Sequence, residues 1–419
     1  MTQDAQSRKF ETGGSSSGAA APHGRRSGPV VAIDASRSRS GGARTHISGI
    51  LSAADVEALG ISTVHVWSYR ALLDSLPNAP WLVKHNPPAL EKSLLHQMWW
   101  QFRHFASELK AAKCDVLLST DAGTLCRFEP AVVMSRDMLS FEQQEMNRYR
   151  LLSFPRLRLF LLRYMQMASL RYASGALFLT RYASTVIQSF TGQLRHVRIV
   201  PHGISEDFRL STHEGSWQPP PAGESIRCVY VSNADVYKHQ WTVVQAIAKL
   251  RRAGLPVSLE LVGAGAGRAT ERVLDAVRRE DPNGEFITVL GATPHAEIPQ
   301  HLSNAHIFIF ASSCENMPNT LVEAMAMGLP IACARRGPMP DILEEAGAYF
   351  DPEDANTIAT AVERLATDRE FRMSCAKQAK ALASRYSWKR CATETWQYLD
   401  DTHARHTAEH PAGASRAAR

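Results

Sequence analysis

The chain has 419 residues, of which 44% are hydrophobic and 21% charged, with a formal net charge of +6. That length exceeds one ordinary core and suits two domains, and the composition excludes a disordered or collagen-like chain. The basic balance favours an anionic partner, such as phosphate groups, an acidic lipid surface or nucleic acid, without choosing among them.

Residues 1–27 contain Gly13-Gly14-Ser15-Ser16-Ser17-Gly18 and Arg25-Arg26 but no apolar signal core, which predicts a disordered tail. Ordered structure should begin with Pro29-Val30-Val31-Ala32-Ile33-Asp34, an apolar run suited to a buried parallel strand. The loop from Arg37 to Gly42 then leads into a helix with Ile47, Ile50 and Leu51 on one face. Further strands are expected at Thr63–Tyr69, Asp115–Ser119, Ala131–Ser135 and Ala176–Thr180, with helical stretches between them. Strands alternating with helices imply a parallel sheet covered on both faces.

Leu210 to Ser225 (LSTHEGSWQPPPAGES) reads as a linker, after which the rhythm restarts. Strands are expected at Arg227–Val231, Ser258–Val262, Phe286–Leu290, His306–Phe310 and Pro330–Ala334. The expected division is an N-terminal Rossmann-like domain over 28–205, a C-terminal one over 206–385, a helix over 386–401 and a flexible tail over 402–419. Two doubly wound α/β domains would face each other across a ligand-binding cleft. The seven cysteines are dispersed with no C-x-x-C pair, which argues for free thiols in a cytoplasmic protein. No stretch approaches the roughly 20 apolar residues that span a bilayer. No zinc, Walker or Asp-x-Asp pattern occurs, so no metal is expected.

The most informative segment runs from Ser312 to Gly328. An apolar strand enters a polar loop holding Glu315, then a helix in which Pro318 suits the first turn and Gly328 the stop. Glu323 falls about a turn and a half into that helix. The two carboxylates thus flank a helix start, Asn316, Met317, Pro318, Asn319 and Thr320, whose free N–H groups favour a phosphate. Carboxylates repel a diphosphate, so beside one they serve better as acceptors for sugar and ribose hydroxyls. The plain alternative is a loop acid and a solvated helix acid.

The phrase ENMPNTLVEAMAMGLPIACARRGPMPDIL resembles family four of the retaining glycosyltransferases, also called glycosyl transferases group 1, which have the GT-B fold. Val200-Pro201-His202-Gly203-Ile204 resembles their domain junction, Val229–Gln240 their phosphate-binding loop, and Ser387-Trp388 the start of their last helix. The resemblance implies Glu315 on the donor sugar, Glu323 on the ribose, and Lys238 neutralising the leaving diphosphate. Family members usually place an Arg five residues before that Lys, where this chain has Asn233, so that charge is either missing or supplied from elsewhere, with Arg335 and Arg336 as candidates. Gly41 and Gly42 match the glycine-rich loop that faces donor phosphates and acceptor. Arg136 stands where many relatives carry His, followed by Asp137; either these two line the cleft or they form a salt bridge at a strand end.

Leu157, Phe160, Leu161, Tyr164 and Ala168 fall at helical spacing among Arg156, Arg158, Arg163 and Arg171. Such a helix either rests on anionic lipid at the inner face of the cytoplasmic membrane or packs on its own sheet with its basic residues in water. The function implied by the resemblance is retaining transfer of a hexose from a GDP- or UDP-linked sugar to a growing, lipid-linked glycan of the bacterial envelope. The substrate nucleotide sugar is then the only small-molecule partner, without a cofactor and without nucleic acid. Two rivals share the architecture: a sugar-nucleotide epimerase and a scaffold that binds without turnover.

Overall fold

The computed structural model describes residues 28–39, 41–56, 58–210 and 224–411. The tail expected at 1–27 and most of the expected linker lie outside these residues. The first sheet comprises β1 (Val30–Asp34), β2 (Thr63–Trp67), β3 (Leu82–His85), β4 (Val116–Ser119), β5 (Ala131–Ser135), β6 (Gly175–Phe178) and β7 (Val197–Ile199). The second comprises β8 (Ile226–Val231), β9 (Val257–Val262), β10 (Ile287–Gly291), β11 (Ile307–Phe310), β12 (Ile331–Ala334) and β13 (Ala348–Phe350). Their orders are β3-β2-β1-β4-β5-β6-β7 and β10-β9-β8-β11-β12-β13, and neighbouring strands pair in parallel. Two Rossmann-like sheets of this kind constitute the GT-B fold.

Strand alternation explains why apolar runs were needed. Val31 and Ile33 of β1 pack on one side with Ile47, Ile50 and Val66, while Ala32 packs on the other with Trp67, Trp100 and Phe105. Both faces are buried, so polar alternation is absent. Three strands were not anticipated: β3 (LVKH), β7 (VRI) and β13 (AYF). Each is a short strand at a sheet edge, where one flank has no partner strand and a charged or aromatic residue is tolerated.

The last helix, Trp388–Glu409, overturns the boundary expected at 401. It continues through Thr402, which is buried, because its inner face packs on the first domain rather than ending at the crossing. Ser387 caps it through Oγ, which accepts from Arg390 N at 3.2 Å. Trp396 Nε1 donates to Ile50 O at 3.2 Å and Tyr398 Oη to His196 O at 2.9 Å. Burying an aromatic of this size contributes about 3 kcal/mol. Gly49 and Gly203 allow the crossing itself, since a side chain at either would run into Trp388.

The helix Phe154–Tyr172 packs on the first sheet through its C-terminal half, where Leu170 joins Val133 and Phe178, and leaves its N-terminal half uncovered. Its buried residues are Gln166, Ser169 and Leu170, whereas Phe154, Leu157, Phe160, Leu161 and Tyr164 are exposed. Several of its arginines turn back onto the protein: Arg156 donates to Tyr149 O at 3.2 Å, and Arg171 to Thr191 O at 2.8 Å. The helix Leu94–Arg103 likewise exposes Leu94, Leu95, Trp99 and Phe102. Gln101 on that helix accepts from Leu125 N at 3.1 Å, and Leu162 lies beside Gly123, so both helices flank the loop after β4. Among the described residues no helix is long and apolar enough to cross a membrane.

Candidate functional site

In both sheets the strand order reverses beside the first strand of the domain, at β1/β4 and at β8/β11. Chain leaving the carboxyl ends of these strands forms the crevice, which is where open α/β sheets bind ligands. A cavity of about 260 Å³ lies there, and both domains line it. From the first domain come Arg37, Gly42, Asp121, Arg136, Asp137 and His202; from the second come Glu315, Asn316, Met317 and Asn319.

The loop after β11 ties the two walls together. Asn316 Nδ2 donates to Ser135 O at 3.3 Å, and Thr180 Oγ1 donates to Asn316 O at 3.0 Å. Ser313 Oγ lies 2.8 Å from Glu145 Oε1 and 2.8 Å from His239 Nε2. Arg148 then spans the domains, 2.7 Å from Glu145 and 2.7 Å from Glu353. Burial, together with the Arg148 charge, lowers the pKa of His239 to about 4, so its ring is neutral in this network at pH 7.

Lys238 ends a short turn, Val236–Lys238, after β8, and its Nζ is ion-paired with Glu315 Oε1. The expected neutralisation of a diphosphate by Lys238 thus starts from an ammonium already paired with Glu315. Strands β8 and β11 are neighbours, so the loops at their carboxyl ends meet and the opposite charges pair. Both side chains are 14% exposed, and only Glu315 of the two lines the cavity. Lys238 Nζ also lies 5.5 Å from the centre of the Phe310 ring, which limits the ways it can turn.

Glu323 is buried on the helix Asn319–Ala326, outside the cavity lining. Its Oε1 lies 3.2 Å from His295 Nε2, while Oε2 is buried with no partner. A carboxylate oxygen left in this state is a ready acceptor for a hydroxyl. Its hydrogen bond raises the pKa of His295. The helix starts at Asn319, one residue later than expected, with Pro318 as its cap residue. Gly328 takes φ +74° just past the end, as a helix stop requires.

Gly41 and Gly42 open the helix Gly41–Ser52 instead of forming the turn before it. A Cβ at Gly42 would stand 3.1 Å from Asn319 Nδ2, so glycine lets the starts of two helices from different domains approach each other. Arg136 and Asp137 do line the cavity, and no ion pair joins them to each other among the described residues. Arg136 Nη2 reaches Ser38 Oγ at 3.4 Å, while its Nε and Nη1 are buried without partners. Burial raises the pKa of Asp137.

Asn233 is exposed beyond β8, and Thr320 is partly buried; neither lines the cavity. The candidate substitutes for the missing arginine are committed elsewhere. Arg335 lies over the Tyr349 ring at 4.7 Å, and Arg336 is 3.3 Å from Asp351.

Sequence reasoning did not assign roles to Arg37, Asp121, His202 or His295. His202 lay in plain view within the junction phrase, but only tertiary structure turns it into the cleft. There it is 95% buried, its Nδ1 is 3.1 Å from Asn319 Oδ1, and its ring lies tilted against that of His46 with centroids 4.7 Å apart. Burial lowers its pKa to about 4.

Residues 213–382 match the family described as Glycosyl transferases group 1. The chain is 28% identical over 110 residues to the O-antigen chain mannosyltransferase B of Escherichia coli, covering 26% of this chain and 29% of that protein. It spans less than half the length of this and two further curated relatives. A sucrose-phosphate synthase from Thermosynechococcus elongatus superposes with a TM-score of 0.71 at 18% identity, over 90% of this chain and 100% of that one. The HepE protein of Anabaena, solved with UDP and glucose, superposes with a TM-score of 0.66 at 16% identity, over 89% and 100%.

Proposed function

From a chain whose residues 213–382 match the family described as Glycosyl transferases group 1 and whose two sheets have the GT-B arrangement, we propose a transferase that moves a hexose from a nucleoside-diphosphate sugar to a growing, lipid-linked glycan with retention of anomeric configuration. One observation carries this reading: Glu315 and Glu323 sit on either side of a helix start, the first paired with Lys238 and the second holding an unpartnered oxygen. In the proposed complex Glu315 orients donor-sugar hydroxyls and Glu323 binds the ribose. Lys238 and the backbone N–H groups of Asn316, Met317, Asn319 and Thr320 stabilise the departing diphosphate through pre-organised charge. Closure of the two walls, held by Asn316 and Arg148, would keep out the water that otherwise hydrolyses the donor. No metal has a role in this scheme.

The similarity to an O-antigen chain mannosyltransferase supports envelope polysaccharide as the setting and GDP-mannose as the first donor to try, with UDP-sugars next. The test incubates full-length protein with each donor and a lipid-diphosphate-linked glycan primer, and reads the product's anomeric signal by NMR. Retained-configuration product is expected. Donor epimerised without acceptor, or binding with no turnover on any donor, would overturn the transferase reading.

The exposed apolar rows of Leu94–Arg103 and Phe154–Tyr172 support a contact with anionic lipid at the inner membrane face, because exposed Arg103, Arg150 and Arg158 border them. Apolar area lends depth and the arginines lend attraction to negative headgroups. The protein is expected to sediment with phosphatidylglycerol-containing vesicles and much less with neutral ones, with a blue shift of Trp99 fluorescence. The paired change Leu157→Ser and Phe160→Ser should weaken sedimentation about tenfold or more. Equal binding by parent and variant would exclude this face.

A further inference from the structure

The cavity contains more unsatisfied positive character than the roles above use. Two helices of different domains, Gly41–Ser52 and Asn319–Ala326, direct their amino-terminal ends at it, bringing free N–H groups and positive dipole ends together. Arg136 lines the same cavity with Nε and Nη1 buried and unpartnered. His202, 95% buried on the same lining, leaves Nε2 unpartnered. Two buried guanidinium nitrogens without an acceptor are costly unless a ligand satisfies them.

Among the described residues no carboxylate forms an ion pair with Arg136. Asp121 lies 3.7 Å from Arg37, which offsets it, and Asp137 Oδ1 accepts from Leu139 N at 3.0 Å. Glu315 is held by Lys238. Arg136 therefore remains the cation on this lining without a carboxylate partner among the described residues.

We infer that Arg136 and His202 form a sugar-phosphate site on the N-terminal wall of the cleft. The guanidinium grips phosphate oxygens through Nε and Nη1. Nε2 of His202 accepts an adjoining sugar hydroxyl in the tautomer whose Nδ1–H donates to Asn319 Oδ1. The inference rests on the proposed glycosyl-transfer reading for what carries the phosphate. A donor diphosphate would make Arg136 the replacement, from across the cleft, for the cation missing at Asn233. A phosphate on the acceptor has the same chemistry.

Calorimetry on the full chain with inorganic pyrophosphate, UDP and GDP separates these cases, comparing parent, Arg136→Met and Arg136→Lys. Pyrophosphate affinity is expected to fall at least about tenfold in Arg136→Met and to recover in part in Arg136→Lys. The thermal midpoint of unliganded Arg136→Met should equal or exceed the parent's, because an unpaired buried charge is gone. A parallel fall for UDP or GDP assigns the phosphate to the donor. Unchanged nucleotide affinity with lost pyrophosphate binding assigns it to the acceptor. Should the parent bind neither nucleotide but lose pyrophosphate binding on Arg136→Met, the donor reading falls and this site stands. Equal pyrophosphate binding by parent and Arg136→Met, or none by the parent, overturns the inference.

Discussion

Replacing Lys238 with Met should slow sugar transfer by about 10² to 10³-fold while changing nucleoside-diphosphate affinity by less than about tenfold, the signature of a donor aimed at charge that develops in the transition state. The geometry supports this magnitude. The ammonium is 14% exposed, anchored by Glu315 and crowded by the Phe310 and Tyr237 rings, so it need not reorganise when the diphosphate departs. The same change strands Glu315 without its ion partner, which costs stability and complicates a simple rate comparison. The double variant Lys238→Met with Glu315→Gln separates the two effects. It should regain the parent's thermal midpoint yet remain slow. Single-turnover kinetics at saturating donor provide the rate, and a parent-like rate in Lys238→Met would remove the assignment.

Glu323→Ala should weaken nucleoside-diphosphate binding by about 10- to 100-fold, equivalent to about 1.4–2.8 kcal/mol, the range for a hydrogen bond to a charged acceptor. The reason is the buried, unpartnered Oε2, with Oε1 and His295 fixing its direction. A ribose hydroxyl is the expected donor, so 2′-deoxy- and 3′-deoxynucleotides should bind the parent more weakly and lose less on mutation. Glu323→Gln keeps an acceptor oxygen and should fall between parent and Ala. Calorimetry with both nucleotide sets measures this as a double-mutant cycle. Additive losses from the deoxy change and from Glu323→Ala would place the carboxylate elsewhere.

The two glutamates at 315 and 323 also mark how far the linear chain could be read. Glu315 and Glu323 were legible because a strand, a loop and a helix start are local events, governed by apolar runs, proline and glycine within one short segment. The alternation of such segments was enough to imply two doubly wound domains. The edge strands β3, β7 and β13 escaped because half-covered strands need no long apolar run. The end of the last helix escaped because Thr402 is kept helical by burial against another domain, and nothing beside it in the sequence records that contact.

The amino-acid sequence by itself determined the layered α/β plan, the helix start between two carboxylates, and Lys238 at the end of a strand loop. Tertiary structure alone decided who meets whom. It paired Lys238 with Glu315 across β8 and β11, withdrew Arg335 and Arg336 to Tyr349 and Asp351, and brought Arg136, His202 and Gly42 to the start of a helix more than a hundred residues away. Local pattern follows from nearest-neighbour sterics and periodicity. Charge pairing and burial depend on distances that exist only after the two sheets have folded and closed on each other.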